Sequence, residues 1–338
     1  MQSLEPQPIL SPRSPSSTMQ SSEPQPILSP PESQPVPAVI SVLDRTNFLQ
    51  SLEDAGIHLQ ERQVDNFYEE LHRQSYPNLQ DFVKKCHISI VSINEENVIP
   101  SSMILFLADA DKGYVTMTST IQEVTKSASG KSIKCDIQLA DGELVEIIIS
   151  RASDKGKPYA SVTVSSQVGC SVECAHCPSG SYVRNLTAAE IVEQVIHASR
   201  VLQEGAPAIR KVAFMGSGEP LQNYDAVVDA CRLLGCTFHL KRGRITISTI
   251  GITPRIYDLK RDLPGVILAV VLHAPTEELR NAILPCRFGL VGLFEALDNY
   301  MSTSKHEMAN ENHKTLSRKR RVMIEYLMGK LELAGGQY

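Results

Sequence analysis

Two periodicities alternate from Tyr159 to Leu327. Short runs rich in β-branched and apolar residues recur at Ala160–Ser165, Lys211–Met215, Arg244–Thr249, Val266–Leu272 and Arg321–Leu327, the signature of strands buried on both faces. Between them, apolar residues recur at helical spacing over Ala188–Leu202, Asp225–Leu234 and Leu290–Tyr300. The first helix is opened by Thr187-Ala-Ala-Glu190, a capping box in which hydroxyl and carboxylate satisfy each other's orphan amides. Strands alternating with helices predict an α/β fold with a parallel sheet and right-handed crossovers, open or closed into a (β/α) barrel. Sites on such sheets lie at the carboxyl ends of the strands.

The preceding residues read differently. Asp44 is placed to cap a helix ending near Leu52, and Val64, Phe67, Tyr68 and Leu71 mark the buried stripe of a second helix over Leu59–Gln74. Pro77-Asn78 breaks it, and Leu79–Cys86 reads as a third helical piece. Ser132–Leu139 alternates, Asp141-Gly142 is a turn signal, and Leu144–Ile149 pairs back as a hairpin. The expected organisation is a disordered Pro/Ser-rich tail over 1–42, a small helical accessory domain over 43–90, a β-hairpin connector over 115–150, the barrel over 155–328 and a divergent end over 329–338. The tail repeats itself, Glu5–Pro12 recurring as Glu23–Pro30, and 10 of the chain's 20 prolines fall within the first 40 residues. Such a segment has too little apolar surface to offset its ordering entropy.

Composition narrows the class. With 338 residues and 42% hydrophobic content, the chain can bury one large core. No apolar run reaches the roughly 18 residues of a membrane span. The formal charge of −5 argues against nucleic-acid binding through global charge, although a local groove remains open to it. The only dense basic run is Lys314–Arg321. Eight cysteines are too few for a disulfide scaffold, and their clustering points to metal chemistry in a reducing compartment. A cytoplasmic location is expected, with an organelle as the alternative that a Ser-rich leader leaves open.

Three of those cysteines, Cys170, Cys174 and Cys177, form a C-x3-C-x2-C loop directly after the first strand of the barrel. One such loop can ligate three irons of a [4Fe–4S] cluster and leave the fourth open to the amino and carboxylate groups of S-adenosylmethionine (SAM). Structural zinc with a fourth ligand from elsewhere is the competing reading. After the second strand comes Met215-Gly-Ser-Gly-Glu-Pro220, whose glycines allow close approach and whose Glu219 offers a carboxylate to an ammonium. Ser248-Thr249 follows the third strand and His273 the fourth.

Together these segments resemble the RlmN/Cfr-type radical SAM RNA adenine methyltransferases. The resemblance is carried by Asp141-Gly-x-x-Val-Glu146, Ser165-Ser-Gln-Val-Gly-Cys170, Asn185–Glu190, Met215–Pro220, Ile247-Ser-Thr-x-Gly251, Leu272-His-Ala-Pro275 and Glu278-Leu-Arg280. It implies a radical SAM barrel, cluster ligation by Cys170, Cys174 and Cys177, and SAM binding by Gly218, Glu219, Ser248, Val271, Leu272 and His273. It also implies Glu146 as proton acceptor, RNA as partner (rRNA, with tRNA as a second candidate) and a reductant protein. Two departures stand out. Thr163 occupies the position of the family's resolving cysteine, and the family's methyl-carrying segment has no counterpart before Tyr338, as in a C-terminally truncated member. Three functions are therefore carried forward: an RNA methyltransferase of this family, a radical SAM enzyme of different chemistry, and a non-catalytic RNA-binding relative.

Overall fold

A computed structural model describes residues 40–73, 79, 83, 99–108, 114–174, 177–202, 206–285, 288–302, 321–326, 332–333 and 336–337. In chain order, β1 (Ile40–Ser41) leads into α1 (Arg45–Asp54), α2 (Glu61–Arg73) and α3 (Ser101–Ala108). Asp44 caps α1 by accepting from the amide of Asn47. Beyond α2, Leu79 and Val83 are helical and buried, and the rest of the expected third piece, like the tail, lies outside the described residues. The short β2 (Tyr114–Val115) pairs with β1 in parallel. Phe48, Phe67, Phe106 and Tyr114 close this region as an aromatic core, with neighbouring rings 5.5 Å apart. Tyr68 is buried with them and donates its hydroxyl to the carbonyl of Val42 at 2.9 Å.

β3 (Thr120–Lys126), β4 (Ser132–Gln138) and β5 (Leu144–Asp154) form an antiparallel meander. The β4–β5 turn falls at the Asp-Gly signal, with Gly142 at φ 90° and Gln138 facing Leu144. β5 then pairs antiparallel with β6 (Lys157–Val164), so the hairpin continues directly into the main sheet. β7 (Gln167–Val168) and β8 (Arg184–Asn185) are a small antiparallel pair bracketing the cysteine loop. There follow α4 (Ala188–Leu202), β9 (Ile209–Phe214), α5 (Tyr224–Thr237), β10 (Ile245–Thr249), α6 (Thr253–Asp262), β11 (Ile267–Val271), α7 (Glu277–Ile283), α8 (Leu290–Met301) and β12 (Arg321–Glu325). A short hairpin, β13 (Glu332–Leu333) with β14 (Gly336–Gln337), completes the described elements.

The eight-stranded sheet runs β12-β11-β10-β9-β6-β5-β4-β3, and the five strands from β6 to β12 are mutually parallel. Strand alternation sorts their side chains onto two faces. Val162, Val164, Val212, Phe214, Ile245, Ile247, Leu268 and Val270 are all at most 1% exposed, in one core with Ile191, Val195, Val227 and Ile256 of the covering helices. The opposite face carries Thr163, Ala213, Thr246 and Ile267, which stand side by side in register and are only half-buried. This is a partial (β/α) barrel with its inner face open. Among the described residues no helix is long and apolar enough to cross a membrane.

Candidate functional site

The rim at the carboxyl ends of β6, β9 and β10 is built from buried polar side chains. Gln194 of α4 accepts from the amide of Ser165 at 2.8 Å and donates to its carbonyl at 3.1 Å, which fixes the chain as it leaves β6. The Ser165 hydroxyl donates to the carbonyl of Glu146 on β5 at 3.0 Å and accepts from the amide of Ser217 at 3.1 Å. Asn223 donates to the carbonyls of Ser166 and Leu186 at 2.8 and 2.7 Å. Arg184 is 5% exposed and bonds both Asp141 in the hairpin turn, at 2.6 Å, and Glu190. Glu190 also accepts from the amide of Thr187 while Thr187 accepts from that of Glu190, the capping box read from the sequence. The cysteine loop is thus anchored at both ends to the sheet and to α4.

The loop doubles back on itself. The amide of Cys170 donates to the carbonyl of Gly180 at 3.2 Å, and that of Cys177 to the carbonyl of Cys174 at 3.1 Å. Gly169 has φ 69°, and a Cβ there would lie 1.9 Å from the carbonyl oxygen of Ser181, so only glycine closes the turn. Cys170 and Cys174 are half-buried and Cys177 is exposed. Burial pushes the Cys174 thiol up to about 12, reinforced by Cys170, Cys177 and Glu219. Burial also raises Cys170, with Glu219 and Cys177 adding to it. The three thiols therefore stand in one another's field, and three thiolates there call for a cation. Among the described residues, no three His, Cys, Asp or Glu side chains already converge at metal-binding distance. The donor set nevertheless fits an iron–sulfur cluster: three thiols at C-x3-C-x2-C spacing from one anchored loop.

Glu219 lies at the centre of the rim, 3% exposed. Its oxygens accept from the amides of Leu221 and Ile250, both at 2.9 Å, and it is also bonded by Thr249. Burial pushes its carboxyl up to about 7 against these donors. Gly218 has φ 100°, and a Cβ there would stand 2.6 Å from Gln167. The glycine thus lets the β9 loop seat on the β6 loop, in addition to any approach to a ligand. Gln167 accepts from the Glu219 amide at 3.0 Å across the same junction.

The remaining sequence candidates share this end of the sheet. Ser248 donates to Glu325 of β12 at 2.9 Å. Val271 stands opposite Glu325 in register, and the amides of Leu272 and His273 donate to the Glu325 carbonyl at 3.0 and 3.3 Å. His273 has φ 58°, a left-handed conformation that non-glycine residues adopt mainly where surrounding structure enforces it. Ala274, Ile283 and Leu284 form a small apolar cluster against which Cys174, Ile250 and Val271 all pack, bringing the cysteine loop, the β10 loop and the end of β11 together. Glu146 projects from β5 beside this rim and is bonded by Lys134 at 2.6 Å. Reading the sequence did not single out Gln194, Asn223, Arg184 or Glu325. Their partners are distant in sequence, and only the motif neighbourhoods of Ser165–Cys170 and Asn185–Glu190 hinted at them.

Residues 164–316 match the model of the radical SAM superfamily. A solved structure, a radical SAM methyltransferase from Sphaerobacter thermophilus, superposes with a TM-score of 0.65 and 27% identity, covering 85% of this chain and 76% of that one. The chain thus carries a match to the radical SAM domain over residues 164–316 and shares the mixed α/β fold of that radical SAM methyltransferase. It is also similar in sequence to proteins named RlmN. It is 35% identical over 60% of its length to the dual-specificity RNA methyltransferase RlmN of Vesicomyosocius okutanii, covering 54% of that protein. It is 39% identical over 56% of its length to a probable RlmN of Nocardioides, covering 50% of it. The chain therefore spans about half the length of the curated relatives it matches. The radical SAM methyltransferases that it matches imply a [4Fe–4S] cluster and SAM as cofactors.

Proposed function

We propose that the chain is a radical SAM enzyme of the RNA methyltransferase lineage. In this reading Cys170, Cys174 and Cys177 hold the cluster, and Gly218, Glu219, Ser248, Val271, Leu272 and His273 line the SAM site. The observation that carries it is the packing of the thiol loop and the β10–β11 ends around one small apolar cluster, with Glu219 bonded to the amide of Ile250 beside it. Held there, the cluster and SAM would supply one-electron chemistry able to act on carbon that is no nucleophile. The chain's own residues orient and exclude. Gln194 and Asn223 fix the exit of β6, the packed cluster under Cys174 keeps water from one side, and in this reading Glu146, which pairs with Lys134, takes a proton at the rim. The polynucleotide partner in this reading is RNA, rRNA first and tRNA second, with electrons from a reductant protein and a cytoplasmic setting.

Thr163 favours one variant of this reading. It lies on the open inner face between Ile148 and Ala213, and a hydroxyl there cannot carry out the thiol exchange that the family resemblance assigns to the position. We infer that SAM is cleaved without methyl release by that route. Anaerobic incubation with reductant, SAM and RNA, followed by mass spectrometry of nucleosides, tests this. SAM cleavage without C-methyladenosine is expected. More than one methyl per chain overturns the variant, and no cleavage at all overturns the enzyme reading.

A further inference from the structure

Arg280 is the largest fully buried side chain described, 0% exposed, and lies on α7 just beyond the rim. Its Nη1 donates to the carbonyl of Phe288 at 3.1 Å and its Nη2 to the carbonyl of Ile250, while Nε has no hydrogen-bond partner among the described residues. Burying a guanidinium against neutral carbonyls, with one N–H unsatisfied, is costly. A leucine or methionine would fill the space more cheaply if packing were all the position required. What the arginine accomplishes is specific. Ile250 is the residue whose amide is held by Glu219 from the β9 loop. Arg280, from the segment after β11, holds the carbonyl of that same residue. Two side chains that can carry opposite charge, arriving from two different loops, grip both polar groups of one residue.

That residue immediately follows Ser248 and Thr249. The turn continues through Gly251, at φ 99°, whose amide donates to the Thr249 hydroxyl at 3.0 Å. The β10 loop is consequently fixed by side chains and not by strand pairing, since the pairing of β10 with β11 ends at Thr249 opposite Val270. Ile250 also packs against the cluster that touches Cys174 and Val271, so displacement of its backbone moves one wall shared by the thiol loop and the proposed SAM contacts.

We propose that Arg280 is a positioning residue for the SAM site, acting through the Ile250 carbonyl in concert with Glu219 on the Ile250 amide. This rests on the radical SAM reading above. Among the described residues Arg280 bonds the carbonyls of Phe288 and Ile250 and no thiol or rim hydroxyl, so its effect should fall on SAM affinity and spare the metal.

The test uses the full chain, reconstituted anaerobically, with SAM itself as probe. Iron content, SAM affinity by calorimetry and amide exchange at Ile250 are measured for wild type, Arg280→Met, Arg280→Lys and the Glu219→Gln/Arg280→Met double variant. Arg280→Met should weaken SAM about tenfold, the scale of one lost charged hydrogen bond, with iron per chain unchanged and faster exchange at Ile250. Arg280→Lys, which can still donate to one carbonyl, should recover part of the affinity, and it carries the test if Arg280→Met does not fold. The double variant should be no weaker than the worse single variant, because the two side chains hold one element. SAM affinity within twofold of wild type in Arg280→Met and Arg280→Lys overturns the inference while leaving the radical SAM reading intact. Wild-type protein that takes up no SAM overturns both.

Discussion

The two sides of the strand-end rim are made of different materials. Around β6, β9 and β10 the loops are tied to one another by Gln194, Asn223, Gln167, Glu219 and Arg184, all nearly inaccessible to solvent. Around β11 and β12 the ties are fewer among the described residues. The Ser248–Glu325 bond and two amides on the Glu325 carbonyl join the strands, and Met323, Ile324 and Tyr326 are 41%, 47% and 45% exposed. Buried polar networks fix geometry when every member is satisfied, as a cofactor site requires. The first side is therefore the preorganised one. The second presents apolar side chains in a strand whose one described neighbour is β11, a surface suited to further pairing.

The largest effect should come from the preorganised side. Cys174→Ala is expected to abolish iron incorporation, measured as iron and sulfide per chain after anaerobic reconstitution. Undiminished iron in that variant would remove Cys174 from the ligand set. Next is Arg184→Met, which strands the buried carboxylate of Glu190. Losing one partner of a buried pair costs about 3–5 kcal/mol, to be read from urea unfolding, and a loss well under 1 kcal/mol would mean that the β8–α4 junction is not what holds the cysteine loop.

Glu219→Gln should cost about 1–3 kcal/mol of stability, because an amide cannot accept from Leu221, Ile250 and Thr249 together. SAM affinity should fall with it, and an unchanged melting curve would show that the brace is unimportant. On the open side, Met323→Lys should shift stability by only about 0.5 kcal/mol while reducing self-association in light scattering. A wild-type chain that stays monomeric at high concentration would contradict the description of β12 as a pairing edge.

Acid should act on a third element. His197, bonded to the Ser119 hydroxyl at 3.0 Å, has its pKa lowered to about 4, first by burial and then by Arg200. Between the ordinary histidine pKa and that value the unfolded chain binds the extra proton and the folded chain does not. The contribution of His197 to stability is thus full above pH 6.5 and lost as pH falls through about 4. His197→Gln should flatten that acid limb, and an identical limb in the variant would show that other groups set it.

The sequence was most legible where local chemistry is self-contained. The helix expected over Ala188–Leu202 is found with those bounds because the capping box marks its start and a clear stripe marks its face. The five parallel strands appear within a few residues of their expected runs. α6 was invisible because Thr-Pro-Arg-Ile-Tyr-Asp-Leu-Lys-Arg-Asp buries only Ile256 and Leu259, too few to show a period. α3 was invisible for the opposite reason: Met103–Leu107 is apolar without interruption, and such a run does not distinguish helix from strand. The cysteines of the site announce themselves by spacing. The side chains that position them do not, since Gln194 and Ser165 are 29 residues apart and Arg184 and Asp141 are 43 apart, and no local pattern encodes such meetings.

The central claim is that this rim holds an iron–sulfur cluster with one iron open to SAM. It is tested most directly by purifying and reconstituting the full chain without oxygen, counting metal, and recording the electron paramagnetic resonance of the reduced protein before and after SAM is added. The account predicts about four irons per chain and a spectrum that changes on addition of SAM. Stoichiometric zinc without iron, or a reduced cluster whose spectrum is indifferent to SAM, would contradict it.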